Sequence, residues 1–235
     1  VKGIVVSDNG EYRFTGRREP VDLDNYPPFP YWRYLVGPIE ITRGCPYGCF
    51  FCQVSYMHGF KPRHRSVDNI AYYAGVLGRI GYRDLRFITP NGLGYGLTSR
   101  SREVSLELLE ELFNSLKRVI DKYGMKLFYG TFPSEVRPEH LSLEVAKMLR
   151  RYVYNREIII GAQTGSNELL KKINRGHSVE DVFNAVDNAL KAGFKPCVDF
   201  IFGLPGEEKE DLLETMDVIR KLVVRKTRIH LHVFL

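Results

Sequence analysis

From residue 38 onward, strand-like and helix-like segments alternate, and this alternation constrains the fold more than any other feature of the chain. A short strand at 38–42 leads into a cysteine-rich loop, and residues 66–82 read as a helix with Ser66 as its N-cap. The next strand, 84–89, ends in the Gly-rich run Asn91-Gly92-Leu93-Gly94. Residues 103–123 give the clearest helix: Leu109, Leu112, Phe113, Leu116, Val119, Ile120 and Tyr123 recur at spacings of three and four, and Gly124 stops them. A strand at 126–132 and a helix at 139–152 follow, then a strand at 157–163 whose Ile158-Ile159-Ile160 run suits burial on both faces. A short helix at 167–173 precedes a longer one at 179–192, which opens on a near capping box from Ser178 to Asp181 and ends at Gly193. A strand at 194–202, a helix at 207–224 and a final strand at 228–235 complete the pattern. Six strands separated by five helical connections, the fourth of them holding two helices, require right-handed crossovers and a parallel sheet.

The first 37 residues belong to a different regime. Ile4 and Val6 alternate before Asn9-Gly10, and Tyr12 and Phe14 after it, the pattern of a tight hairpin. Pro20, Pro27, Pro28, Pro30 and Pro38 then forbid helix, while Tyr26, Phe29, Tyr31, Trp32 and Tyr34 lie between them. This reads as an extended strap packed on the main domain by its aromatics, or as a linker to an upstream domain. The chain opens on Val1 and stops at Leu235 inside an apolar run, so it is expected to be part of a longer protein.

Three of the four cysteines, Cys45, Cys49 and Cys52, fall within eight residues. Such clustering argues against a disulfide framework and for a reducing, cytoplasmic setting. No run of about eighteen apolar residues exists, so no membrane span is expected. Lys and Arg exceed Asp and Glu by 34 to 28, a mild excess compatible with a polyanion such as RNA or with a solvated surface. The loop Arg43-Gly44-Cys45-Pro46-Tyr47-Gly48-Cys49-Phe50-Phe51-Cys52 can aim three thiols at one point. Thiolates suit iron–sulfur clusters and zinc. A zinc site needs a fourth ligand, for which His58 and His64 are candidates while Cys197 is remote in sequence. Three thiols without an obvious fourth point to a [4Fe–4S] cube with one iron open, a zinc knuckle and inert buried thiols being the alternatives.

The spacing of Cys45, Cys49 and Cys52, with Phe51 just before the last, closely resembles the cluster loop of radical S-adenosylmethionine (SAM) enzymes. The resemblance spans residues 38–235 and implies a partial (β/α)₆ TIM-like barrel, here without its sixth helix, with the chemistry at the C-terminal strand ends. It implies that the open iron chelates SAM and that Phe51 packs beside the adenine. Asn91-Gly92 looks like the methylthiotransferase and cobalamin-type version of the turn that meets the SAM amino group, since the common Gly-Gly-Glu is absent. Thr131 or Ser134 is expected to touch SAM from the third strand. At the fourth, Gln163 and Ser166 sit in a Gly-rich turn into a helix, a seat for the methionyl carboxylate. Arg175 is the expected carboxylate partner, with a solvent-facing helix cap as its alternative. His177 reads as a surface residue. Asp199, an acid in an apolar strand, is assigned to the ribose hydroxyls, with Gly203 in the Gly-Leu-Pro-Gly-Glu corner beyond it. Cys197 shares its parity and reads as a buried small hydrophobe. The segment Lys61-Pro62-Arg63-His64-Arg65 reads as a charged rim.

The implied activity is reductive cleavage of SAM to a 5′-deoxyadenosyl radical that abstracts hydrogen from a substrate, small molecule or RNA. An external electron donor of the flavodoxin or ferredoxin type would supply the electron. Two subclasses compete: cobalamin-dependent methylation, with the cobalamin domain outside this chain because no Asp-x-His-x-x-Gly appears, and tRNA methylthiotransferase-like chemistry. A non-enzymatic zinc- or RNA-binding module is the alternative of another class.

Overall fold

The computed structural model describes residues 2–235. The hairpin forms where Asn-Gly places it: β1 (Val5–Asp8) pairs antiparallel with β2 (Glu11–Phe14), and Asn9 and Gly10 both take positive φ. The strap behind it divides. Phe29 and Tyr31 pack on Tyr73, with ring centroids 6.0 and 6.1 Å away, whereas Trp32 and Tyr34 stay exposed.

A cation holds the strap down. Arg65 is only 2% exposed and donates to the carbonyls of Leu23, Tyr26 and Glu40 and to Asn69 Oδ1 at 2.7–3.1 Å. The expected charged rim is therefore corrected at this position: a guanidinium, with five donors in a fixed fork, can satisfy several strap carbonyls that would otherwise be buried unpaired. Arg63 does the same for Val21 O and His58 O.

The main body follows the alternation. In order it comprises β3 (Ile39–Glu40), β4 (Thr42–Arg43), α1 (Val54–His58), β5 (Arg63–His64), α2 (Val67–Ile80), β6 (Asp84–Leu85), β7 (Phe87–Ile88), α3 (Leu106–Tyr123), β8 (Lys126–Leu127), α4 (Leu143–Tyr152), β9 (Glu157–Gln163), α5 (Asn167–Lys172), α6 (Val179–Lys191), β10 (Lys195–Phe202), α7 (Lys209–Val224) and β11 (Arg228–Val233). β3 pairs in parallel with β7, β6 with β8, and β9, β10 and β11 form one parallel sheet with β10 in the middle. Irregular backbone carries the ladder from β8 toward β9, through Ile159 N to Gly130 O and Val136 N to Ile159 O. The apolar stripe of α3, Leu109, Leu112, Phe113 and Leu116, is buried in the core that also takes Ile158, Ile160, Val198 and Phe200 from the strands.

Two differences from the sequence expectation bear on the site. α4 begins at Leu143 because Ser142 accepts from Val145 N, and the residues before it form a separate 3₁₀ turn, Pro138–His140, which takes Arg137 and Glu139 off the face of α4. The short helix α1 after the cysteines and the β4–β5 bridge that brackets them, with Thr42 opposite His64, carry no periodic signal and were not anticipated.

Candidate active site

The cysteine loop is fixed from both ends of the chain. Cys45 N donates to Gly59 O, and Ser55 Oγ takes Gly48 N and gives to Cys45 O, so α1 folds back on the loop. Gly44 (φ +91°) faces the carbonyls of His58, Gly59 and Lys61 so closely that a Cβ would sit 2.9–3.3 Å from them. From far along the sequence, Phe50 N donates to Ile173 O, and Asn174 Nδ2 donates to Tyr47 O and Gly48 O at 3.0 and 3.1 Å.

A cavity of about 200 Å³ opens beside this loop. Cys45, Cys49, Cys52 and Phe51 line it from one side, and Gln163, Arg175, Asp199, Glu135 and Arg137 from the other. Seven of the thirteen residues singled out from sequence therefore meet in one place. Among the described residues, the three thiols belong to no His/Cys/Asp/Glu trio whose ligand atoms lie within 4.8 Å of one another. A single zinc needs its ligands closer than that, at metal–ligand bonds of about 2.0–2.3 Å. A cube distributes its thiolates over separate irons and tolerates the wider spacing. His64 is engaged elsewhere, with Thr42 Oγ1 and Leu97 O at 3.0 and 2.8 Å.

Cys49 is the most heavily attended thiol. Arg137 Nη1 lies 3.9 Å and Arg175 Nη1 3.8 Å from its Sγ. Arg137 stacks on the Tyr47 ring at 3.7 Å, donates to Arg175 O, and pairs through Nε with Glu139 Oε1 at 2.6 Å. Both side chains of that pair are buried, 4% and 1% exposed. Burial alone would lower the Arg137 pKa, but Glu139 and the Cys49 thiolate outweigh it and hold the pKa above its usual value. Burial lowers Arg175, with Arg137 adding to the shift and Cys49 and Glu139 opposing it. Burial also pushes the Cys45 thiol up, against the pull of the Tyr47 backbone N–H and of Arg137.

His177 corrects the surface reading. It is buried, its Nε2 lies 3.1 Å from Ala162 O, and its Nδ1 sits 3.8 Å from Glu139 Oε2. Burial and then the two arginines push its pKa well below the ordinary histidine value. Arg175 is also not solvent-facing: Nη2 donates to Gly161 O at 2.8 Å, and Nε is buried without a partner.

Gln163 closes β9 at φ +76°, a conformation that costs a non-glycine residue energy. The register with β10 slips beside it, with Asp199 opposite Gly161 and Phe200 opposite Gln163. Bulges of this kind re-aim side chains near active sites. Asp199 is half-buried, with His230 Nδ1 at 3.2 Å and His232 Nε2 at 3.8 Å. Burial raises its pKa and the two histidines pull it back. Cys197 is buried as expected, its thiol pushed up to about 12 by burial first and Asp199 second.

The other expected residues take supporting positions outside the cavity. Asn91 is buried with Nδ2 2.9 Å from His140 Nδ1, and Gly92 N donates to Glu135 O where a Cβ would collide with Ser134 O. Ser134 Oγ donates to Thr131 O, and Thr131 lines a separate cavity beside Arg86 and Tyr154. Ser166 caps α5 by accepting from Leu169 N, and Gly203 N donates to Glu207 Oε2. Phe51 also packs against Leu169, Ile173 and Leu204. Sequence reasoning missed Arg137, Glu139 and His140. Nothing in the Arg137-Pro138-Glu139-His140 run sets it apart from an ordinary polar joint before a helix.

A family profile described as the Radical SAM superfamily matches residues 39–219. Among curated proteins, tRNA-2-methylthio-N(6)-dimethylallyladenosine synthase of Petrotoga mobilis is 30% identical over 188 residues, covering 78% of this chain and 40% of that protein. The Finegoldia magna protein of the same name is 30% identical over 191 residues, 80% of this chain and 39% of its own length. The chain thus spans about 40% of the length of these relatives. Among solved structures, the apo form of the cobalamin-dependent S-adenosylmethionine radical enzyme OxsB aligns with a TM-score of 0.70 at 19% identity, over 93% of this chain and 32% of that one. The radical S-adenosylmethionine methyltransferase TsrM from Kitasatospora setae aligns at 0.63 and 20% identity, over 83% and 36%. These likenesses, with the parallel pairing described above, give the chain an α/β TIM-like core. On the profile match across most of its length, this chain belongs to the radical SAM superfamily.

Proposed function

We propose that residues 38–235 form a partial (β/α)₆ barrel carrying a [4Fe–4S] cluster on Cys45, Cys49 and Cys52, with SAM in the adjoining cavity. Residues 1–37 are then an N-terminal hairpin and a strap packed on that barrel. The observation that carries this reading is the one cavity shared by three thiols, by Gln163 and Asp199 from the β9–β10 sheet, and by Arg175 from the loop after α5. The donor set fits: three soft sulfurs at wider than single-ion spacing, with guanidinium groups against one of them to offset anionic charge.

When bound, the cluster supplies the single electron that cleaves SAM. The chain's own residues bind, orient and exclude water. Phe51 offers a face for the adenine, Gln163 and Arg175 hold the methionyl carboxylate, and Asp199 accepts from the ribose hydroxyls. Asn91, Gly92, Thr131, Ser134, Ser166 and Gly203 shape the turns behind these groups. An external one-electron donor of the flavodoxin or ferredoxin type serves the site. No described helix is long and apolar enough to cross a membrane.

For the reaction subclass we favour cobalamin-dependent chemistry, because the likeness to the cobalamin-dependent enzyme OxsB covers 93% of the chain, and methylation within it, because the cobalamin-bound TsrM is a methyltransferase. The second reading, a tRNA methylthiotransferase-like enzyme acting on RNA, is favoured by the 30% identity to proteins of that printed name.

Anaerobic reconstitution tests the core of the proposal. Iron and sulfide uptake, then 5′-deoxyadenosine on adding dithionite and SAM, are expected for the native chain. Both are lost when Cys45, Cys49 and Cys52 become Ala. One zinc without sulfide, or product unchanged in the triple variant, refutes it. Cobalamin binding then separates the two subclasses.

A further inference from the structure

Arg137, Glu139, Arg175 and His177 are buried together beside Cys49, and the reading above uses only Arg175. Burying an ion pair gains little stability over apolar residues of the same volume, so a buried pair calls for another reason. This one is also incompletely satisfied: Glu139 Oε2, His177 Nδ1 and Arg175 Nε have no hydrogen-bond partner. Its cations are directed. Both guanidiniums place an Nη1 within 4 Å of Cys49 Sγ, and Arg137 is locked there by Glu139 on one side and the Tyr47 ring on the other. Two cations and one carboxylate leave one net positive charge against a thiolate.

We infer that Arg137 is a positioning residue that sets the reduction potential of the cluster, holding positive charge against Cys49 while Glu139 trims that charge. The inference rests on the proposal that Cys49 ligates a cluster. Taking up one electron from the external donor adds negative charge to the cluster. A fixed cation beside one ligand sulfur therefore stabilises the reduced form more than the oxidised form, and raises the potential. Glu139 opposes this and orients the fork, so the two residues act with opposite sign.

The test is an anaerobic redox titration of reconstituted protein with dithionite and mediators, followed by EPR of the reduced cluster, with iron and sulfide measured on every sample. Arg137→Gln is expected to make reduction about tenfold less favourable, a shift of about 59 mV to lower potential for a one-electron couple. Glu139→Gln is expected to move the potential upward, and Arg137→Lys to stay nearer the native value. A purely structural role would lower cluster content or move both Gln variants the same way. Full cluster content with unchanged potential in Arg137→Gln overturns the inference, as do shifts of equal sign. If Arg137→Gln takes up no cluster, Glu139→Gln decides: an upward shift supports the inference, and none or a downward one overturns it. Failure of the native chain to take up iron and sulfide is distinct, and sinks the cluster reading on which this one stands.

Discussion

Arg65 and Arg137 are both buried arginines in a basic chain, and they are buried in opposite ways. Arg65 faces carbonyls: four neutral oxygens from the strap, β3 and the Asn69 side chain of α2 accept from its Nε and Nη1, with no carboxylate paired to it. Arg137 faces a carboxylate, an aromatic ring and a sulfur, in a group that still carries unpartnered polar atoms. A cation closed off by backbone is architecture. A cation left partly open beside a thiol is what the proposed cluster on Cys49 would use.

The sharpest way to break this contrast is stability. Arg65→Met is expected to cost the apo chain about 3–5 kcal/mol in anaerobic urea denaturation, because several buried carbonyls lose their donor at once. The double change Arg137→Met with Glu139→Gln should cost only about 1–2 kcal/mol, since both charges leave together. Equal costs would erase the distinction.

Acid sharpens it next. Burial lowers the pKa of His140, His177 and His64 below the ordinary 6.5. Between each folded value and 6.5 the unfolded chain binds more protons, so stability is full above about pH 6.5 and falls as pH drops. Each buried histidine adds at most about 1.4 kcal/mol per pH unit to that fall. His140 should show it clearly, because Asn91 Nδ2 already donates to its Nδ1 and leaves that nitrogen no room for a proton. His140→Gln is expected to flatten the profile in this window, and an unchanged slope would remove His140 from the account.

The smallest effect concerns strain. Gln163→Gly relieves φ +76° and is expected to raise stability by up to about 1 kcal/mol, while equilibrium dialysis shows weaker SAM binding by the reconstituted protein. Loss of stability would mean that Gln163 is held for packing instead.

What was legible in the sequence is what local chemistry decides. The cysteine spacing, the hairpin at Asn9-Gly10, the buried run of β9 and the capped α6 all follow from residues within a few positions of one another. Gln163 was reachable because it ends a strand whose order the alternation fixes, Asp199 because an acid stands out inside the apolar β10, and Arg175 through the motif that follows the short α5. Arg137, Glu139 and His140 were not, since a charged residue becomes interior only through partners 38 to 93 positions away, such as Arg175 O and the Tyr47 hydroxyl. The fragmentary early strands escaped for a related reason: β6 and β7 are two residues each, interrupted at Arg86.

The grip of Ile173 and Asn174 on Tyr47, Gly48 and Phe50 also sets an order of events during synthesis. The sulfur-bearing loop emerges well over a hundred residues before the amide that clasps it. A nascent chain therefore presents loose thiols first and a shaped receptacle only after α5 has followed. On the cluster reading proposed above, metal delivery follows the second half of the polypeptide, and fragments ending before residue 174 are expected to leave the thiols unclasped.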